Sequence, residues 1–305
     1  MASRYWELTV PVTDAVAEGL TNFVWELGAL GVVEEGAETG PSGLRAFFPG
    51  TAAPATLAAS VDGYLASLRA LGFAADGAAG VAELPDGGWA EAWREHFRPT
   101  PVGRGLLVAP PWERPPVNGR VVITIEPGRA FGTGQHGSTA GCLTTLETIL
   151  EAGPVARALD LGSGSGILAI AAARLGVPAV VAVDDDPDAV ASAVANVARN
   201  GVCDRVRCVL GNARDVRVEA APLVLANILA AAHLELGPRY GRLVLPGGRL
   251  VLGGLLDAEA PAVAEAVAAH GFRLCASFAV DGWTTLELER TAPGPSPDAP
   301  LHHRA

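Results

Sequence analysis

Lysine is absent from this sequence: all 22 basic residues are arginine, against 33 aspartates and glutamates. Its absence excludes a Schiff-base lysine and the lysine of a phosphate-binding P-loop. The formal net charge of -11 gives the chain no general attraction to nucleic acid or to an anionic membrane. We therefore expect no direct binding to nucleic acid, and a basic protein or peptide is the partner that this charge favours.

Cysteine is also scarce. The four cysteines are Cys142, Cys203, Cys208 and Cys275, and none forms a CxxC pair with a second pair nearby. Neither a metal site nor a disulfide framework is therefore expected. The sequence has no uninterrupted apolar run of bilayer length, and its first residues do not resemble a secretory signal. We expect a reduced, cytoplasmic, monomeric protein that does not enter a membrane.

Two domains are predicted from the length and the spacing of apolar runs. The 305 residues suffice for one large core and a smaller one. Residues 1–86 read as strand, helix, strand, strand, helix and strand, the order of a ferredoxin-like split βαβ unit. A helix with Trp89 and Trp93 then leads to a proline-rich stretch, so residues 87–119 are predicted to be a linker helix and connector. The tail at 291–305 is predicted to be disordered.

Residues 120–290 alternate between strand-like and helix-like runs. The predicted strands lie near 121–126, 156–161, 179–184, 205–210, 222–226, 249–253, 272–280 and 283–289, and the predicted helices near 138–152, 167–175, 187–200, 230–240 and 258–270. Such alternation predicts a mostly parallel sheet with helices on both faces. The predicted fold class is α/β, a doubly wound Rossmann-like domain that follows a smaller α+β domain.

A glycine loop follows the strand near residue 160. The segment Ala158–Gly166 is an apolar run that meets three alternating glycines, typical of the strand, loop and helix that open a nucleotide-binding domain. Ile167 stands where a dinucleotide loop needs its third glycine, which disfavours a nicotinamide oxidoreductase. The carboxylate of Asp160 would repel a pyrophosphate and suits a cationic amine, which favours S-adenosylmethionine. Asp160, Gly162 and Gly164 are the candidate cofactor contacts of this loop.

Two polar residues follow the next strands. Asp184 lies 22 residues after Gly162, a spacing that lets an acid accept hydrogen bonds from both ribose hydroxyls. Asp185, Asp186 and Asp188, which follow it, are expected to cap the next helix and to favour its dipole. Asn212 follows the third strand, where an adenine contact is expected from position alone.

Asn227 ends the fourth strand, in the segment Ala226–Leu229. Doubly wound sheets bind ligands outside the carboxyl ends of their strands. The amide of Asn227 could accept a hydrogen bond from an incoming amine and aim its lone pair at a sulfonium methyl group. Asn227 is therefore the candidate catalytic residue and a cofactor contact; the alternative is a helix N-cap. No aromatic residue follows it to stack a flipped base.

A second glycine-rich segment, Glu126–Thr139, contains four glycines that let the backbone approach a ligand closely. Phe131 could cover that ligand, and Thr139 could bond its carboxylate from a helix N-terminus. His136 could act as a general base, although a single loop histidine more often has a structural hydrogen bond.

Together these segments resemble the PrmA family, the methyltransferases of the large-subunit ribosomal protein numbered eleven. The similar stretches are EPG at 126–128, AFGTGQH at 130–136, LDLGSGSG at 159–166, VD at 183–184, DP at 186–187, NG at 200–201, ANIL at 226–229 and PGG at 246–248. The resemblance implies a class I, S-adenosylmethionine-dependent domain joined to a small substrate-recognition domain. It implies Thr139, Gly162, Asp184 and Asn227 as cofactor contacts, and methylation of lysine ε-amines and of the N-terminal α-amine of that protein.

The chain departs from the family pattern at two positions. Ser138 stands where the family usually has threonine, and Asp185 replaces the apolar residue of Val-Asp-Ile-Asp-Pro. Three alternatives stay open: a methyltransferase of another protein lysine, one of RNA or a small molecule, and a binding module that kept the cofactor fold without catalysis.

Overall fold

The computed structural model describes residues 5–29, 31–35, 43–70, 72–75, 77–84, 97–127 and 136–291. The chain divides into two compact units at Arg98–Pro99, and Pro127 groups with the first of them. The predicted helix with Trp89 and Trp93 and the predicted disordered tail beyond Thr291 lie outside the described residues. None of the helices formed by the described residues has the length and the hydropathy that a membrane span requires.

The first unit has the predicted order of elements. They are β1 (Tyr5–Pro11), α1 (Asp14–Glu26), β2 (Gly31–Glu35), β3 (Gly43–Pro49), α2 (Pro54–Ala70) and β4 (Gly80–Leu84). The strands form an antiparallel sheet in the order β2-β3-β1-β4, which is the split βαβ arrangement. Helix α2 buries Leu57, Val61 and Leu65, spaced four apart on one helical face.

The second unit begins with a small sheet that the sequence reading missed. Strands β5 (Thr100–Val102), β6 (Leu106–Ala109) and β7 (Val121–Thr124) form it, with β6 in the middle. The prediction of an extended connector over 99–119 is therefore wrong, and the unit begins at Pro99 rather than at residue 120. The reason is β6, whose four residues are all buried and whose Leu106 and Val108 join the main core.

The main sheet of this unit has seven strands. Its elements are α3 (Gly137–Ala152), β8 (Ala158–Leu161), α4 (Ile167–Arg174), β9 (Val180–Asp184), α5 (Pro187–Arg199), β10 (Val206–Leu210), β11 (Ala221–Asn227), α6 (Ala230–Leu243), β12 (Val244–Leu256), α7 (Ala260–Ala268), β13 (Phe272–Val280) and β14 (Trp283–Arg290). The strand order is β10-β9-β8-β11-β12-β14-β13, with β14 antiparallel to both of its neighbours. The predicted α/β class is confirmed, and the order reverses between β8 and β11, where such sheets bind ligands.

Side chains alternate between two apolar cores on the two faces of this sheet. On β11, Leu223 and Leu225 join the core that contains α3 and α4, whereas Val224 and Ala226 join the core that contains α6 and α7. Because strand side chains alternate with a period of two, Asn227 continues the first of these rows. Asp160, two residues after Ala158 of the same core, lies on that face of β8 as well.

Candidate functional site

The glycine loop turns the chain sharply between β8 and α4. Gly162, Gly164 and Gly166 have φ angles of 69°, 52° and 80°, the left-handed region that residues with a Cβ atom avoid. Gly166 is the N-cap residue of α4. A Cβ atom on Gly162 would also clash with Cγ2 of Ile228. The predicted strand, tight loop and helix are confirmed.

Asp160 is a buried carboxylate, and one of its two oxygens has no hydrogen-bond partner among the described residues. Its side chain is 1% exposed, and Oδ2 accepts a hydrogen bond from the backbone N–H of Ala169 at 3.0 Å. Oδ1 is buried and accepts no hydrogen bond from the described residues. Burial raises the pKa of Asp160 to about 7; the Ala169 hydrogen bond opposes this rise and the charge of Asp184 adds to it. A cationic group beside Oδ1 would satisfy the open acceptor and stabilise the charged form.

Asp184 connects the end of β9 to the glycine loop. Its Oδ2 accepts a hydrogen bond from the N–H of Gly164 at 2.8 Å, and its Oδ1 accepts one from the N–H of Asp186 at 3.0 Å. Asp186 is the N-cap residue of α5 and accepts a hydrogen bond from the N–H of Asp188 at 2.8 Å. The capping role predicted for the later acids is confirmed at Asp186, and the ribose contact of Asp184 stays a prediction.

Asn212 holds two turns together at the carboxyl edge of the sheet. Its Nδ2 donates to Oδ2 of Asp185 at 2.7 Å, and its Oδ1 accepts from the N–H of Arg214 at 2.9 Å. Asp185, which departs from the family pattern, is therefore the partner of Asn212. The adenine contact of Asn212 stays a prediction.

Asn227 also carries a buried oxygen without a donor. Its Nδ2 donates to Oγ1 of Thr139 at 3.3 Å, and Thr139 is fully buried near the start of α3. This bond orients the amide, and its Oδ1 has no hydrogen-bond partner among the described residues. The alternative N-cap role is wrong, because Leu229 is the N-cap residue of α6. An unpaired buried acceptor costs about 1–3 kcal/mol, a cost that an N–H of a ligand would remove.

The second glycine-rich segment is described only at its two ends. Residues 128–135, including Phe131, lie outside the described residues. His136 is the N-cap residue of α3, its Nδ1 lies 2.8 Å from Oγ of Ser138, and its ring packs against Trp283 with centroids 4.5 Å apart. These contacts favour the structural role of His136 over that of a general base.

Sequence reasoning missed a buried histidine, His233, which contacts the strand that pairs with Asn227. Nε2 of His233 lies 2.8 Å from the carbonyl oxygen of Gly253, which pairs with Asn227 in the sheet. Because a carbonyl only accepts, Nε2 carries the proton, and Nδ1 accepts a hydrogen bond from the Tyr240 hydroxyl at 2.7 Å. Burial lowers the pKa of His233 to about 4, so the ring is neutral at physiological pH.

Gly253 itself lies in close contact with the site. A Cβ atom there would clash with Sγ of Cys142 and would lie 2.8 Å from Oδ1 of Asn227. Burial raises the pKa of Cys142 to about 12, so its thiol stays protonated. The signal available in the sequence was the pair Gly253–Gly254 within an apolar strand, which is typical of a bulge or a close approach of backbone.

Comparison with known proteins identifies the family. The family described as "Ribosomal protein L11 methyltransferase (PrmA)" matches residues 4–291. The chain belongs to the PrmA family. A protein named "Ribosomal protein L11 methyltransferase" from Trichlorobacter lovleyi is 35% identical to this chain over 311 residues, which cover 95% of this chain and 99% of that protein. A protein of the same name from Symbiobacterium thermophilum is 40% identical over 223 residues, covering 73% and 72%.

A solved structure supports the membership of this PrmA chain. The crystal structure of a ribosomal protein L11 methylase from Lactobacillus delbrueckii subsp. bulgaricus has a TM-score of 0.59 and 28% identity, and covers 64% of this chain and 100% of that one. As a PrmA protein the chain is a methyltransferase whose methyl donor is S-adenosylmethionine. The open Oδ1 of Asp160 and the glycine loop fit a ligand with an ammonium group and no phosphate.

Proposed function

We propose that this PrmA protein methylates amine nitrogens of ribosomal protein L11, the ε-amines of lysines and the N-terminal α-amine. The observation that carries the proposal is the buried, donor-free Oδ1 of Asn227 at the carboxyl end of β11. An amine has an N–H to give this oxygen, whereas an aromatic ring carbon has none. The net charge of -11 adds a general attraction to a basic protein.

Four side chains would hold the cofactor. Asp160 would accept a hydrogen bond from its ammonium group, and Asp184 would accept hydrogen bonds from its ribose hydroxyls. Thr139 already accepts from Asn227, so its own O–H is left to donate to the cofactor carboxylate. Asn212 lies two residues after the end of β10, where it would meet the adenine. When bound, S-adenosylmethionine supplies an activated methyl group on a sulfonium.

Asn227 would orient the attacking amine. A lysine amine has an ordinary pKa of about 10.4 and attacks only in its neutral form. Removal from water at the carboxyl edge of the sheet favours that neutral form. Oδ1 of Asn227 would then accept one N–H and leave the nitrogen lone pair aimed at the methyl group. Holding the amine in line supplies much of the rate enhancement, because the methyl group is already activated.

The affinity for the cofactor is expected to rise with pH, because ionised Asp160 is the form that binds a cation. Below the pKa of about 7 the free protein holds a proton on Asp160, and binding must displace it. The dissociation constant of S-adenosylhomocysteine should fall by about twentyfold between about pH 5.5 and pH 7.5. Isothermal titration calorimetry measures it, together with the proton released.

The matched control for this pH dependence is Asp160→Asn, which keeps the size of the side chain and removes its titration. The variant should bind weakly with an affinity that is nearly constant over the same range. His233, with a pKa of about 4, does not titrate there. Parallel pH profiles for wild type and variant would contradict the role of Asp160.

The proposed activity is tested by incubating the purified protein with methyl-labelled S-adenosylmethionine and one acceptor at a time. The acceptors are L11, L11 with an acetylated N-terminus, and ribosomal RNA. Label is expected in both forms of L11, with fewer methyl groups in the acetylated one, and mass spectrometry locates the modified amines. Label in RNA alone, or cofactor binding without transfer to L11, would overturn the proposal.

We also assign substrate recognition to the predicted N-terminal domain, residues 1–86. The residues that follow it would connect this domain to the methyltransferase domain. The active unit is proposed to be a single chain that works in the cytoplasm without binding nucleic acid directly. Mass photometry of the purified protein with and without L11 tests whether the active unit is a single chain. A dimer in the absence of L11 would contradict it.

A further inference from the structure

Two buried asparagines lie on one face at the C-terminal end of α5: Asn196 is in its last turn and Asn200 is its C-cap residue. Asn196 is 0% exposed and Asn200 is 6% exposed, and the other buried residues of α5 are alanine and valine. Residues four apart lie one above the other on a helix. A buried amide is costly unless both of its polar atoms have hydrogen-bond partners. The partners of these two side chains therefore show what each amide does.

The side chain of Asn196 joins two segments that are distant in the sequence. Its Nδ2 donates to the carbonyl oxygen of Ser165 at 3.0 Å. Its Oδ1 accepts from the N–H of Glu126 at 3.1 Å and from Arg199 at 3.3 Å. Ser165 belongs to the glycine loop that follows β8, and Glu126 begins the second glycine-rich segment. One amide thus holds both segments to α5.

Asn200, the C-cap residue of α5, is the same residue type and is also buried, but it has different partners. Its Oδ1 accepts from the N–H of Thr124 at 2.8 Å. Its Nδ2 donates to the carbonyl oxygen of Thr124 at 2.7 Å and to that of Asn196 at 2.8 Å. These bonds complete the backbone pairing of the last residue of β7 and involve neither Ser165 nor Glu126. Asn200 is therefore a natural control for Asn196.

The glycine loop needs an anchor on the side of α5. On the side of β9 the N–H groups of Gly162 and Ser163 donate to the carbonyl oxygen of Val183, at 2.8 and 3.0 Å, and Gly164 donates to Asp184. On the other side, Asn196 binds the loop through Ser165. Glycine-rich backbone has more conformational freedom to lose than other backbone, so each anchor reduces the entropy that a ligand must remove on binding.

We propose that Asn196 is a positioning residue for the cofactor: its amide holds the carbonyl of Ser165 and the N–H of Glu126 in place before the cofactor arrives. The inference rests on the proposed function, with Gly162 and Gly164 of the glycine loop as the cofactor contacts that the sequence predicts. It adds a buried residue of α5 that sets the affinity without being a ligand contact. Loss of the bond from Nδ2 to Ser165 should weaken binding of the cofactor more than it weakens the fold.

The variant Asn196→Asp tests this bond. Aspartate keeps an oxygen to accept from Glu126 and loses the N–H that Ser165 accepts. The matched variant Asn200→Asp makes the same change four residues away and loses the N–H bonds to Thr124 and Asn196. Both variants bury a similar carboxylate at the C-terminal end of α5, so their melting temperatures should fall by similar amounts. Should either aspartate variant not fold, the pair Asn196→Ala and Asn200→Ala replaces them.

Two measurements on the folded proteins separate positioning from general destabilisation. The dissociation constant of S-adenosylhomocysteine should rise about tenfold in Asn196→Asp and stay within about twofold of wild type in Asn200→Asp. Without ligand, hydrogen–deuterium exchange of the peptide that contains Gly164 and Gly166 should be faster in Asn196→Asp alone. Equal losses of affinity in both variants, or wild-type affinity in Asn196→Asp, would overturn the inference. Wild-type protein that binds no S-adenosylhomocysteine would overturn the proposed function, and the inference with it.

Discussion

Replacing Asn227 with alanine is expected to lower kcat for methylation of L11 about a hundredfold, because the attacking amine loses the acceptor that orients it. The loss should appear mainly in kcat, with a smaller change in the dissociation constant of the cofactor, because the variant also removes the N–H that donates to Thr139. Oδ1 of Asn227 has no protein donor to satisfy, so its removal breaks no described hydrogen bond of that atom. Single-turnover kinetics with saturating L11 measure the chemical step, and calorimetry measures cofactor affinity.

The conservative variant Asn227→Asp serves as the control for orientation. It keeps an acceptor at the end of β11 and loses the N–H that donates to Thr139. It should therefore recover a substantial part of the activity that the alanine variant loses. Unchanged single-turnover kinetics in Asn227→Ala would show that Asn227 does not orient the amine. A loss confined to the cofactor dissociation constant would assign Asn227 to binding alone.

Asp184→Ala is expected to weaken cofactor binding by at least about a hundredfold, since a hydrogen bond to a charged group is worth roughly 1.5–3 kcal/mol and two ribose hydroxyls would lose such a bond. The variant also frees the N–H of Gly164 from its anchor. Once saturated with cofactor, the variant should transfer methyl groups at nearly the wild-type rate. Calorimetry with S-adenosylhomocysteine checks the affinity.

Two comparisons isolate the ribose contact of Asp184. Asp188→Asn removes an exposed carboxylate from the same acidic turn, so it controls for the loss of local charge. Wild-type protein should bind an analogue without ribose hydroxyls about as weakly as Asp184→Ala does, and the variant should discriminate little between the two ligands. A variant that still prefers the ribose hydroxyls as strongly as wild type does would refute the contact.

Much of the site was predictable because its signals are local. The strand near residue 160, the glycine loop and the helix after it follow from apolar periodicity and from the need for glycine at positive φ. Asp184 and Asn227 were found because each directly ends a strand, and parallel strands bring their carboxyl ends to one edge of the sheet. The positions of these residues were therefore predicted, whereas their partners were not.

The prediction of an extended connector over residues 99–119 was wrong because it was based on the prolines of this stretch. Proline punctuation is typical of an extended connector, but it does not report whether the apolar residues between the prolines have a strand to pair with. Leu106–Ala109 pairs with Val121–Thr124 and is buried against the main core. The pairing partner lies outside the local window, so the sequence pattern alone could not reveal it.

By itself, then, the sequence determined the order of the elements, the glycine loop, and the acid and amide at the ends of its strands, because backbone sterics and side-chain periodicity act over a few residues. Only the tertiary structure decided that Thr139 orients Asn227 and that His233 donates a hydrogen bond to the carbonyl oxygen of Gly253. It also decided that Asn196 joins Ser165 to Glu126. Those contacts join residues from 20 to 88 positions apart in the sequence. They depend on which strands become neighbours and which face each side chain takes, and burial then forces each polar atom to find its partner.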